Sequence, residues 1–293
     1  MQTTAEALER ETRTWAHAVN ARELLADAIA THHVRRLEVD VAWNPRLQTA
    51  VTRHTAVSEL ASDEELTMEA WAEACLLSVK NGKTIQVVKL DFKELLYAPK
   101  HALFALEGAV TKLRVPKSEL PEIWLNADVV GQDGTWDPEE LQVFFDVCDA
   151  FIQRNRDRLF FRTVYSLGWR TRFAPCTLSP AHYEANACHE MFTVVDRFVG
   201  HEAQLTFAVR ASFVLASLDT LQETLLRPLA ASAKRPAPGL TVWTGWEGVP
   251  AADLYATFDS CGKADIPTYF DVAKGPKHAW HNPIRFAHYL FAL

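Results

Sequence analysis

RRLEVDVAW, residues 35–43, alternates apolar and polar side chains with a period of two. Leu37, Val39 and Val41 fall on one face, and Glu38 and Asp40 fall on the other. The aliphatic face predicts burial against a helix layer, which leaves two carboxylates side by side on the opposite face. Two adjacent anions repel and resist desolvation, so the pair calls for a cation or firm hydrogen bonds. A barrel of parallel strands supplies such a setting. Its strand side chains alternate between interior and helix layer, and its reactive groups gather at the C-terminal ends of several strands.

Seven more short apolar, β-branched or aromatic runs surround this one: TWAHAV (14–19), TIQVVKLDF (84–92), PEIWLNADVV (121–130), LFFRTVYSLGW (159–169), AQLTFAVR (203–210), LTVWTGW (240–246) and IPTYFDVA (266–273). Segments of helical period separate them. Thr67 is placed to cap MEAWAEACLLSVK, which Asn81-Gly82 stops, and Asp137-Pro138-Glu139-Glu140 announces a helix running through Asp149 or beyond. Ser179-Pro180 repeats the device before AHYEANACHEMFTVVDRF, and Ser212 is placed to cap FVLASLDTLQETLL. Eight strands alternating with helices predict an α/β protein, a (β/α)8 TIM-type barrel, rather than an open doubly wound sheet. Neither GxGxxG after the first strand nor GxxxxGK[ST] is present, so no phosphate loop of a nucleotide fold is indicated. The Pro-rich stretch between Ser232 and Pro250 reads as a long loop, because strand signals lie within and beyond it. Residues 1–293 are expected to form one domain, with residues 1–11 a short N-terminal extension.

The chain has 293 residues, with 48% hydrophobic and 23% charged, enough apolar material for a sizeable core. Its net charge of -7 disfavours duplex DNA as a partner. No apolar run nears the roughly 20 residues of a membrane-spanning helix. The polar N-terminus does not read as a secretory signal, so the expected location is cytoplasmic. Five scattered cysteines, Cys75, Cys148, Cys176, Cys188 and Cys261, contain no CxxC pair and read as core thiols rather than disulfides or a zinc site.

Polar residues inside the strands carry the functional signal. Glu38 and Asp40 suit a hard ion such as Mg2+ or Ca2+, with a salt bridge to Arg35 or Arg36 as the structural alternative. In KLDFK, Lys89, Asp91 and Lys93 share a face. There Asp91 can complete a carboxylate set while a lysine holds an anionic group, and an internal ion-pair network is the alternative. His17 lies near the end of the first strand with Asn20 just beyond, and His54 lies in the loop after the second strand. A histidine pair across a phosphodiester can supply a nucleophile or base on one side and an acid on the other. Asn126, Arg210, Trp243 and Tyr269 are candidates for the rest of a substrate pocket. Ser166 sits outside any GxSxG motif, which leaves acyl-enzyme chemistry without support.

Taken in order, HAVN (17–20), LEVDV (37–41), KLDFK (89–93), WLNAD (124–128), SLGW (166–169), FAVRAS (207–212) and LTVWTGW (240–246) make the sequence resemble the menorin-like family over nearly its whole length. That family resembles in turn the glycerophosphodiester phosphodiesterases and spider-venom phospholipase D enzymes, barrels that use paired histidines and an acid-held metal. The resemblance implies catalytic roles for His17 and His54, metal-ligand roles for Glu38, Asp40 and Asp91, and a phosphate-contacting role for Lys93. WAHAVN replaces the HRG of the glycerophosphodiester enzymes, and TRHTAV (52–57) departs from an HP-type pattern, so substrate specificity does not carry over.

The resulting expectation is a metal-dependent phosphodiesterase, cleaving by hydrolysis or by internal transfer to a cyclic phosphate. Its substrate would be a lipid headgroup, a glycerophosphodiester or a nucleotide or RNA phosphodiester. The rival expectation is a non-catalytic binding or adhesion protein on the same scaffold.

Overall fold

Leu37, Val39 and Val41 are fully buried, at 0% exposure, and join the core formed with the surrounding helices. In this computed structural model they belong to β2 (Arg36–Asn44), which has parallel neighbours on both sides. The structure describes residues 15–56, 64–158, 161–171, 182–232, 235–244 and 268–271. Around β2 stand β1 (Trp15–Ala16), β4 (Val87–Phe92), β5 (Glu122–Gly131), β6 (Thr163–Arg170), β7 (Gln204–Arg210), β8 (Gly239–Trp243) and β9 (Thr268–Asp271), all parallel and in chain order. β3 (Thr49–Thr52) folds back antiparallel on β2 and was not signalled by the sequence pattern. Four residues that read as part of a loop pair here because Ala42 through Asn44 extend β2 past its parallel neighbours and leave a template for a hairpin.

Side-chain contacts show that the sheet curls. Trp124 of β5 meets Trp15 of β1 at 5.8 Å and Tyr269 of β9 at 5.0 Å between ring centroids. The Arg36 guanidinium lies 5.6 Å from the Trp15 ring and 5.8 Å from that of Tyr269. In a flat sheet, strands about 4.8 Å apart would put β1 and β9 roughly 34 Å from each other. A ring cluster joining the first, a middle and the last strand therefore requires the closed curvature of a TIM-type α/β barrel, the predicted class.

The helices run between the strands: α1 (Arg22–Ala30), α2 (Met68–Lys80), α3 (Ala98–Leu113), α4 (Pro138–Arg158), α5 (Ala185–Phe198), α6 (Ala211–Leu221) and the short α7 (Arg227–Ala230). Thr67 caps α2 by accepting from the Ala70 amide, and Gly82, at φ +93, closes its far end. The Asp137 carboxylate accepts from the amides of Glu139 and Glu140 at the start of α4. Two other helix starts differ from expectation. Residues 182–184 are not helical, and α5 begins at Ala185 rather than after Pro180, because Tyr183 is pulled into the core. Its ring packs on Trp169 at 4.7 Å and its hydroxyl accepts from the Arg210 amide at 2.7 Å. Ser212 lies inside the first turn of α6 rather than capping it, since the strand β7 passes into that helix directly at Arg210.

Cys75, Cys148 and Cys188 are buried, and burial pushes the Cys75 thiol up to about 12, consistent with a core role. Cys176, Cys261, the proposed cap at Ser179-Pro180 and residues 1–11 lie outside the described residues. Among the described residues, no helix is long and apolar enough to cross a membrane.

Candidate active site

Strand register assembles the site. Asp40, Asp91, Asn126 and Ser166 are consecutive Cα partners across β2, β4, β5 and β6, so their side chains form one inward layer. Glu38, Lys89 and Trp124 form the layer below, nearer the N-terminal ends of the strands. Glu38 and Asp40, predicted to share a face, thus contribute to both layers.

A sharp turn after β1 brings in the first histidine. Ala18 takes the left-handed conformation at φ 46, which turns the chain within HAVN. His17 Nδ1 then lies 2.7 Å from Glu38 Oε2. Asn20 grips Asp40 twice: its amide nitrogen donates to Oδ2 at 2.6 Å, and its carbonyl oxygen accepts from the Asp40 backbone amide at 3.0 Å.

The second histidine arrives by way of the β2–β3 hairpin, with Nδ1 3.1 Å from Asp40 Oδ2. Its neighbour Arg53 fixes this loop, donating to Glu65, to the Thr55 carbonyl and to the Trp43 carbonyl. Asn44 reinforces the clamp through Glu65 at 2.7 Å. Arg53, Glu65 and Asn44 were missed in the sequence, where nothing links a loop arginine to an acid 12 residues away. Because a carboxylate only accepts hydrogen bonds, both histidines carry a proton on Nδ1 in these contacts.

Two lysines balance the acids. Lys93 Nζ lies 2.8 Å from Asp40 Oδ1 and 2.6 Å from Asp91 Oδ2, bridging them. Lys89 Nζ, nearly buried, stands 3.7 Å from Glu38 Oε1. Burial alone would raise the Glu38 carboxyl, but the Lys89 charge and the His17 hydrogen bond overcome it and hold Glu38 at about 2. Asp40 is likewise pushed up by burial and held well below the usual carboxylate range by Lys93 and His54. Lys93 loses solvation, yet Asp91, Asp40 and Glu38 together raise it well above its ordinary value.

The donor set suits a divalent ion. Glu38, Asp40 and Asp91 each offer an oxygen within 4.8 Å of the others. Oxygens bound about 2.0–2.6 Å from one ion stand up to roughly 4–5 Å apart, so the three carboxylates are spaced to share one ion once the Lys93 ammonium bridging Asp40 and Asp91 gives way.

The remaining predicted residues divide by position. Arg210 and Trp243 end β7 and β8 at the mouth, where the guanidinium lies 5.4 Å from the indole centroid. Tyr269 is not at the mouth. It packs at the opposite end of the barrel against Trp124, because its place in β9 falls in the ring cluster described above. Lys89, expected to face substrate, is instead a buried counter-ion to Glu38. Asn126 is buried, donates to Asp91 Oδ1 at 2.8 Å and accepts from Ser166 at 2.6 Å, so it orients Asp91 rather than facing the opening. Asn20 similarly serves Asp40. A cavity of about 910 Å3 opens at the far end of the barrel beside Arg36, Lys83, Trp124 and Tyr269.

One further acid faces the mouth. Asp128 follows Asn126 on the inward face of β5 and is solvent-exposed there. Crowding by protein raises its carboxyl first and the Asp91 charge adds to that, although the open path to solvent moderates the desolvation.

Comparison with known families matches residues 11–276 to the Menorin N-terminal domain. No curated protein matches the chain. Among solved structures, one that is similar is a crystal structure from Silicibacter pomeroyi of a protein provisionally named a glycerophosphoryl diester phosphodiesterase. It has 12% identity and a TM-score of 0.40, over 88% of this chain and 89% of that one.

Proposed function

The chain belongs to the menorin N-terminal domain family, and from that premise we propose that it is a metal-dependent phosphodiesterase whose site is the mouth of the barrel. The observation that carries this reading is the convergence of Glu38, Asp40 and Asp91 with two histidines, each bonded to one of the first two acids. Glu38, Asp40 and Asp91 would hold Mg2+ or Ca2+, which when bound supplies positive charge for the phosphate oxygens.

The chain's own groups account for the rest. Lys93, 22% exposed at its side chain, is the cation able to reach a phosphate from within the acid set and stabilise charge developing on it. His17, more enclosed than His54 and fixed by Glu38, attacks phosphorus or removes the proton of the attacking hydroxyl through Nε2. His54, on the outer loop, returns a proton to the departing alcohol. A hydroxyl adjacent to the phosphate would give a cyclic product by the same groups, and water would give a monoester.

Turnover of a phosphodiester panel with Mg2+, with Ca2+ and with chelator tests this, comparing the unaltered protein with Glu38→Gln and His17→Asn. Metal-dependent cleavage that drops in both variants is expected. Equal turnover in all three proteins would overturn the assignment, and metal binding without turnover of any diester would favour a binding protein on this scaffold.

A further inference from the structure

The acids of the site are not equivalent. Glu38, Asp40 and Asp91 each hold a lysine, a histidine or an amide, whereas Asp128 makes no hydrogen bond or ion pair with the described residues. Its position is nevertheless specified by two neighbours. Gly168 is its Cα partner on β6, and a Cβ at Gly168 would lie 2.3 Å from Asp128 Oδ1. The carboxylate therefore occupies the space that any other residue at 168 would fill. Immediately afterwards the β5–β6 register shifts between Asp128 and Val130, a bulge of the kind that re-aims a side chain.

Above its raised titration range Asp128 is an ionised carboxylate, which only accepts hydrogen bonds and repels a phosphate oxygen. Asp128 stands two strands from β2, on the side of the mouth away from the two histidines. The charges that act most strongly on it are Asp91, Lys93, Lys89 and Arg170, and the first three are already engaged with one another or with Glu38. Its complement is therefore not the phosphate but a hydrogen-bond donor on the alcohol attached to it.

We propose that Asp128, seated over Gly168, is a specificity residue that selects phosphodiesters whose alcohol carries a hydroxyl or a primary ammonium group. This inference rests on the phosphodiesterase reading and narrows its substrate class. Gly168 is the positioning residue that makes the seat.

Three p-nitrophenyl phosphodiesters with one common leaving group test it, carrying ethyl, glyceryl or aminoethyl as the second alcohol. The unaltered protein should prefer the glyceryl or the aminoethyl compound to the ethyl one, and the better of the two identifies the donor. Asp128→Ala should lower kcat/KM for that compound by about 10- to 100-fold, mainly through KM, and change the ethyl compound by less than twofold. Gly168→Ala should reproduce the loss of preference by displacing the carboxylate, and the double variant should be no worse than Asp128→Ala alone. Asp128→Asn, nearly the same size, keeps the test interpretable if the alanine variant folds poorly. An equal fall on all three compounds, or none, overturns the role of Asp128 while leaving the enzyme reading intact. Absence of turnover by the unaltered protein on every diester overturns the enzyme reading itself, and this inference with it.

Discussion

His17 Nδ1 and Glu38 Oε2 stand 2.7 Å apart, so one carboxylate decides which nitrogen of the imidazole carries its proton. Removing either partner should therefore impair the same step. His17→Asn deletes the reacting nitrogen and is expected to lower kcat by about 10²- to 10⁴-fold. Glu38→Gln leaves the ring in place but can present an amide hydrogen to Nδ1, which disturbs both the tautomer and the metal set. Steady-state kinetics should show that the double variant is little worse than His17→Asn, because the two residues act as a unit. Fully additive losses would separate them.

Asp91 is bridged to Asp40 by Lys93 and oriented by Asn126. Its replacement by Asn should weaken divalent-ion binding, read directly by calorimetry without substrate. The unaltered protein should also melt at a higher temperature with Mg2+ or Ca2+ than with chelator. Ligand present at about 100 times its Kd stabilises by about 2.7 kcal/mol, and the shift should shrink in Asp91→Asn. An identical thermal shift in both proteins would remove Asp91 from the ligand set.

The His54–Asp40 contact gives stability a pH dependence of definite sign. The hydrogen bond to Asp40 raises His54, outweighing burial, and the Asp40 charge adds to it. A raised base contributes stability fully below its unfolded value near 6.5 and loses it as pH climbs through the higher folded value. The His54 side chain is 56% exposed, so screening keeps the contribution below about 1 kcal/mol. In metal-free buffer, His54→Asn should lower the melting temperature at pH 5.5 and leave it nearly unchanged at pH 9. Asp40 behaves oppositely, because its depressed carboxyl stabilises above about pH 4 and loses that contribution on further acidification. A larger effect of His54→Asn at pH 9 than at pH 5.5 would contradict the pairing.

The period-two pattern of LEVDV and KLDFK made the carboxylate layer legible, because alternation on neighbouring parallel strands carries residues directly into register. Capping chemistry made Thr67 and Asp137 legible for the same local reason. What the sequence withheld is set by tertiary contact. Tyr269 alternates correctly along its strand, but only the stagger of the barrel places it by Trp124 instead of at the mouth. Lys89 and Lys93 have the same local pattern, yet one is buried against Glu38 and the other lies by the opening. In SLGW, Gly168 is locally just one small residue. Its meaning appears only when the Asp128 carboxylate is found in the space of the missing side chain.

Ala18 offers a test of the backbone beneath this chemistry. At φ 46 it adopts a conformation that costs an L-residue about 1–2 kcal/mol relative to glycine. Glycine there would relieve that strain but add about 0.4–1 kcal/mol of unfolded-state entropy, so Ala18→Gly should be neutral to slightly stabilising in urea unfolding. Its activity should persist, because His17 and Asn20 keep their contacts with Glu38 and Asp40. Valine is β-branched and disfavours this region strongly, so Ala18→Val should destabilise by about 2 kcal/mol and reduce kcat as the turn reopens. The turn matters to catalysis only if kcat follows this order. A valine variant that is destabilised yet keeps full kcat would show that His17 finds its position without the left-handed residue.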